Sequence, residues 1–135
     1  MKKNNIIEIT YVNKNFSAHV PELPGCISIG DTPEEIKRNI NEAIEFHLKG
    51  MQEDGETIPT SFRNKYTLVY KFDAQSLLKY YKNVITGTAL ERLTGINQKQ
   101  LNHYANSHRK PKENQIIKIK AAFHKLGSEL MSIEM

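Results

Sequence analysis

Between residues 98 and 112 the chain concentrates side chains that hydrogen-bond without reacting. Gln98, Lys99, Gln100, Asn102 and His103 stand close together, and His108, Arg109, Lys110 and Lys112 follow around Pro111. Amides and imidazole match the donors and acceptors of a base edge, while Lys and Arg match phosphate oxygens. The set fits contact with a nucleic-acid duplex. Gln98, Gln100, Asn102 and His103 are the candidates for base contacts, and Lys99, Arg109, Lys110 and Lys112 are the candidates for phosphate contacts.

Residue types that carry catalysis are present but scattered. Two-metal nuclease chemistry needs three or four carboxylates converging on the ions, usually with one from the middle of a strand. Glu8 has that position in the sequence, but Glu22 and Asp31 fall at loop or cap positions, and Glu34, Glu42 and Glu45 fall on the solvent side of a helix. Neither His19 nor His47 has a second ligand four residues on, so surface or partner-contact roles are expected of them. Cys26 is the only cysteine; it has no disulfide partner and no His and carboxylate at a nucleophile's spacing, which suits a buried or loop thiol. The expectation is a chain with no catalytic residues, no metal ligands and no cofactor.

The elements that must position residues 98–112 follow from spacing. Ala89, Leu90 and Leu93 share one face of a short helix, Gly95 suits a left-handed stop, and Ile96 and Leu101 anchor a second helix. This is a helix-turn-helix pattern, although a solvated helix pair in an ordinary bundle has the same spacing. Before it, Leu77, Leu78, Tyr81, Val84 and Ile85 fit a helix. After it, Ile116, Ile119, Phe123 and Leu126 form a stripe that Gly127 is expected to end, with Ser128 to Met135 as a last turn or short helix that sets Leu130, Met131 and Ile133 against a neighbour.

The first half reads differently. Ile7, Ile9 and Tyr11, then Phe16, Ala18 and Val20, alternate with polar residues on either side of Asn13-Lys14-Asn15, which predicts a hairpin. A Pro- and Gly-rich stretch and Ile27 to Ile29 give a third strand. Thr32, Pro33 and Glu35 start a helix striped by Ile36, Ile40, Ala43, Ile44, Leu48 and Met51, and Tyr66 to Phe72 give a fourth strand. The predicted fold class is α+β: a βββαβ domain over residues 1–72, followed by an all-α domain over residues 73–135.

Length allows one domain or two small ones, and composition is that of an ordinary globular protein. Of 135 residues, 39% are apolar and 25% charged, with no 18-residue apolar run and no signal-peptide pattern at the N-terminus, so a cytoplasmic protein without a membrane partner is expected. Lys and Arg number nine against ten Asp and Glu over residues 1–72, and ten against five over residues 73–135. The positive balance lies where the duplex-binding candidates lie.

Two family resemblances follow. Ala89, Gly95, Ile96, Asn97, Leu101, Tyr104, Arg109 and Pro111 resemble the core of phage-repressor-like helix-turn-helix proteins, with Asn97 in place of the usual Ser or Thr cap and a short Asn-Ser-His segment in place of Glu-Gly. Val20, Pro21, Leu23, Pro24, Gly25, Cys26, Gly30, Asp31, Thr32, Glu35, Asn39, Ala43, Ile58 and Pro59 resemble the HicB antitoxin domain, with Ile36 where Ala is usual. The second resemblance implies a partial RNase H-like fold and a HicA-type, RNA-cleaving toxin as partner. Together they imply an antitoxin that also represses its own operon by binding double-stranded operator DNA, as a homodimer or homotetramer. The alternative is a ligand-responsive transcriptional regulator with a non-catalytic sensor domain.

Overall fold

Asn13 and Lys14 both adopt left-handed backbone angles, with φ of 54° and 65°. That is the two-residue turn whose twist suits a hairpin. It joins β1 (Lys3–Val12) to β2 (Asn15–His19), with Val12 opposite Asn15 and Glu8 opposite His19. β3 (Ile27–Gly30) runs antiparallel along β2, and β4 (Tyr66–Phe72) runs parallel to β1, so the sheet order is β3-β2-β1-β4. The computed structural model describes residues 3–135, which divide after Asp73 into a βββαβ unit and a helical unit. The fold is α+β.

Alternation decides which sheet face becomes core. Ile7, Ile9, Phe16 and Ala18 are buried, and Glu8, Thr10, Ser17 and His19 between them are exposed. The covering layer is α1 (Pro33–Glu53), which begins where Thr32 Oγ1 accepts a hydrogen bond from the Glu35 amide at 3.0 Å and Pro33 takes the first turn. Its buried stripe is Ile36, Ile40 and Ile44, while Leu48 and Met51 are half-buried. α1 sits so close to β3 that a Cβ on Gly30 would stand 2.8 Å from the Ile36 backbone nitrogen. Asn39 Nδ2 donates to the Ile29 carbonyl at 2.9 Å, tying the helix to that edge strand. The loop between β2 and β3 is closed by backbone bonds from Leu23 to Val20, Cys26 to Leu23 and Val20 to Cys26, and it buries Val20, Leu23 and Cys26. It is a rigid turn, as its two prolines suggest.

The helical unit comprises α2 (Ala74–Tyr80), a 3-10 turn at Tyr81–Asn83, α3 (Gly87–Thr94), α4 (Gln98–Ala105) and α5 (Glu113–Ser132). Its core holds Leu78, Leu90, Ile96, Leu101, Tyr104, Ala105 and Ile119.

Three sequence expectations are corrected here. The helix expected to continue to Ile85 ends at Tyr80, because the Val84 and Ile85 amides both turn back to the Tyr81 carbonyl and Thr86 must be extended to cap α3; Val84 is exposed. Leu93 is exposed, and the inward position belongs to Thr94. Thr94 is satisfied in the core because its hydroxyl donates to the Leu90 carbonyl at 2.7 Å and accepts from the Ile96 amide at 3.1 Å. Gly127 does not end α5. Its backbone is not left-handed, and the Ser-Glu-Leu-Met-Ser stretch that follows tolerates helix, so α5 runs to Ser132 and leaves Leu130, Met131 and Ile133 exposed.

Two substitutions test this layering. Ile40→Ala is expected to cost about 2–5 kcal/mol in urea denaturation. Gly30→Ala is expected to cost about 1–3 kcal/mol, because the atom it meets is backbone and cannot rotate away.

Candidate functional site

The presentation of α4 starts at Gly95, which closes α3 in a left-handed conformation (φ 74°) with its amide on the Glu91 carbonyl at 2.8 Å. Two side chains then cap α4. Asn97 Oδ1 accepts from the Lys99 amide at 2.8 Å, and Glu91 Oε1 accepts from the Gln98 amide at 2.9 Å. Asn therefore serves as the cap, as expected of it, and Glu91 is a positioning residue that sequence inspection did not single out.

Leu101, Tyr104 and Ala105 point into the core. Helical spacing sets Lys99, Asn102, His103 and Asn106 on the opposite side. Lys99, Asn102 and Asn106 are exposed, and His103 is half-buried. Asn106 was missed from sequence because it caps the end of α4, although it stands four residues after Asn102 and continues that row. Gln98 and Gln100 lie on the two flanks. Gln98 is exposed, with its Oε1 beside Gly87 at the start of α3. Gln100 is half-buried and donates from Nε2 to the Tyr104 hydroxyl at 2.6 Å, so part of its amide is already engaged. A half-open cavity of about 240 Å³ adjoins this face, lined by apolar Leu78, Ile85, Leu90 and Leu101 and by polar Lys82, Gln98 and Asn102.

The basic loop is fastened at both ends. The His103 carbonyl accepts from the His108 amide at 2.8 Å and from the Arg109 amide at 3.3 Å, Ser107 takes a left-handed angle (φ 61°), and Pro111 is buried. Arg109, Lys110 and Lys112 are exposed, with Lys112 immediately before α5. The arrangement joins a polar helix face and a tethered cationic loop within one small unit.

In the sheet unit, α1 covers one face. On the other, Ile6, Val12, Ile27, Ile29 and Val69 are exposed among Thr10, Ser17 and Lys71. Glu8 is paired with His19 across β1 and β2, Oε2 to Nε2 at 3.2 Å. Among the described residues no group of three or more His, Cys, Asp or Glu is placed to hold a metal ion. On the outer side of α1, Phe46 is 82% exposed, with exposed Glu42, Glu45 and Glu53 on the same helix. Such exposed apolar groups are what a partner surface requires. Among the described residues no helix is long and apolar enough to cross a membrane.

A family model described as the HicB-like antitoxin of bacterial toxin-antitoxin systems matches residues 5–76, more than half of the chain. The chain belongs to this HicB-like antitoxin family. Residues 77–135, with α4 and the basic loop, lie outside the match. An uncharacterized 14.9 kDa protein from the rep-hol intergenic region of Haemophilus phage HP1 is 49% identical over 53 residues, which are 39% of this chain and 40% of that protein. A UPF0150 protein of Thermoplasma acidophilum is 34% identical over 53 residues, 39% of this chain and 77% of that one. A UPF0150 protein of Helicobacter pylori is 49% identical over 39 residues, 29% and 54% of the respective chains. The chain thus matches less than half the length of the phage protein. A solved HicA3 and HicB3 toxin-antitoxin complex contains a chain that is 27% identical, with a TM-score of 0.36, over 38% of this chain and 60% of that one.

Within this HicB-like unit Cys26 is buried, and burial pushes its thiol above its ordinary pKa. The folded chain therefore keeps the thiol proton at pH values where the unfolded chain has begun to lose it. This contribution to stability is complete below the ordinary thiol pKa and declines as pH rises toward the folded value. Labelling with a disulfide reagent at pH 8 is expected to be roughly tenfold or more slower in the native protein than in urea.

Proposed function

We propose that this chain is an antitoxin with two binding surfaces and no reaction of its own. The sheet unit binds and silences a HicA-type, mRNA-cleaving toxin. The helical unit acts as a helix-turn-helix that binds operator DNA and represses the operon encoding it. Both tasks belong in the cytoplasm.

The observation that carries the proposal is the joining, in one chain, of the antitoxin-family segment 5–76 to a helical unit in which Lys99, Asn102, His103 and Asn106 form one outward row beside Arg109, Lys110 and Lys112. A helix of this length, preceded by a left-handed glycine and another short helix, has the dimensions to enter a major groove. Asn102, His103, Gln98 and the remaining capacity of Gln100 supply the base contacts, and Lys99, Arg109, Lys110 and Lys112 supply the phosphate contacts. Two copies of the chain match the two halves of a palindromic operator. For the toxin, steric cover by the sheet unit suffices, because an RNase is silenced whenever RNA is kept from its site.

Gel shifts with DNA from upstream of the chain's own gene test the division of labour. Arg109→Ala with Lys110→Ala is expected to weaken binding about tenfold or more and to reduce the slope of log affinity against log salt by about two, one per cation removed. Neutralisation of a co-expressed HicA-type toxin is expected to stay at the wild-type level. Equal loss of both activities would reject the division.

A further inference from the structure

α3 holds the first residue of α4 at two points. Gly87 and Glu91 stand four residues apart on α3, the spacing that brings two positions to one side of a helix. Glu91 takes the main chain of Gln98, its Oε1 accepting from the Gln98 amide at 2.9 Å. Gly87 takes the side chain. A Cβ on Gly87 would stand 2.9 Å from Gln98 Oε1, 3.7 Å from its Cβ and 3.9 Å from its Cδ. The Gln98 carboxamide therefore lies over the glycine, in space that a side chain there would fill.

Nothing else at the start of α3 calls for glycine. The left-handed glycines are Gly25, Gly55 and Gly95, and Gly87 is not among them. Thr86 caps the helix, its Oγ1 accepting from the Ala89 amide at 3.1 Å, and within a helix glycine is a weaker former than alanine. What the missing side chain provides is the seat of Gln98, at the cavity that both residues line together with Asn102.

We infer that Gly87 sets the base preference of α4 by fixing the direction in which Gln98 offers its carboxamide. This deepens the DNA-binding reading and rests on it. A carboxamide distinguishes bases through a donor and an acceptor in one plane, so its discrimination depends on how that plane is presented. Gln98 is exposed, and an exposed glutamine turns freely about its side-chain bonds unless something seats it. Gly87 is the seat, and it acts as a positioning residue without a base contact of its own. A methyl group added there meets the far end of a flexible side chain and no backbone, so the fold accommodates it while Gln98 turns elsewhere.

The test uses the full-length chain and a pool of random-sequence DNA duplexes, followed by replacement of each base pair of the selected sequence in turn. The wild-type chain is expected to select a defined sequence. Gly87→Ala is expected to melt no lower than wild type and to keep the slope of log affinity against log salt, since no cation is removed. It is expected to bind the wild-type sequence about fivefold or more weakly, with altered preference confined to the base pairs that Gln98→Ala also alters. Gly87→Ala with Gln98→Ala is expected to match Gln98→Ala alone, because the added methyl group then displaces no carboxamide. A Gly87→Ala chain with wild-type preferences, changes at other base pairs, a double variant weaker than Gln98→Ala, or a lower melting temperature that the double variant shares would each overturn the inference and leave the DNA-binding reading in place. A wild-type chain that captures no duplex from the pool would remove that reading, and this inference with it.

Discussion

A four-stranded sheet with a single helix on it has one place to put its apolar residues, and everything else in the βββαβ unit follows from that layer. Ile7 and Ile9 come from β1, Phe16 and Ala18 from β2, and Ile36, Ile40 and Ile44 close over them from α1. β1 is held on both sides, by β2 and β4, so its inward residues are fixed most firmly. The seat of α1 is set by two contacts at its start: the close approach to Gly30 and the Asn39 bond to Ile29. Because these contacts fix the helix against an edge strand, they also fix where its outer side carries Phe46 and its neighbouring carboxylates. The buried layer thus determines the shape of the exposed surface, although no buried residue forms part of it.

The helical unit repeats this logic on a smaller scale. Its core is a short list of side chains from every one of its helices, and a unit of this size has little stability to spare. The polar work is correspondingly close to the core: Thr94 is buried with its hydroxyl bonded twice, Glu91 caps the next helix, and the Tyr104 ring is in the core while its hydroxyl receives Gln100. Replacing any of these changes how α4 is held before it changes what α4 contacts. On the proposed function, loss of DNA binding on mutating Glu91 or Thr94 would reflect positioning rather than lost base contacts.

Much of this was legible in the sequence wherever a local rule had no rival. The hairpin at Asn13-Lys14, the Thr32-Pro33 helix start and the Gly95 turn each rest on backbone chemistry within four residues, and each stands as expected. Sequence failed where tertiary context chooses between local options. Leu93 is more apolar than Thr94, but the hydroxyl finds partners and the rotation of α3 puts Thr94 inside. Gly127 has the composition of a stop, yet a helix stops there only if the backbone turns left-handed, and nothing compels it to. The parallel placement of β4 beside β1 leaves no trace in the alternation of Tyr66, Leu68, Tyr70 and Phe72, which are half-buried because β4 is an edge strand. Among the site residues, spacing found Lys99, Asn102 and His103 on the outward side of α4 but not Asn106, and it could not show that Gln100 reaches back to Tyr104, because that bond depends on a rotamer.

On the proposed function, the uneven distribution of charge bears on how one chain carries two binding activities. Over residues 73–135 the excess is positive, and a contact made by Lys99, Arg109, Lys110 and Lys112 with phosphates releases counterions, so its strength falls steeply with salt. Over residues 1–72 acidic and basic residues nearly balance, and a contact through the exposed apolar residues Ile6, Ile27, Ile29 and Val69 of the open sheet face would draw on area removed from water, which salt weakens little. The two surfaces therefore obey different physical controls even though they are covalently joined. On the proposed function, the toxin stays covered across ionic conditions that release the operator, and repression is the more sensitive of the two activities because its energy is mainly electrostatic.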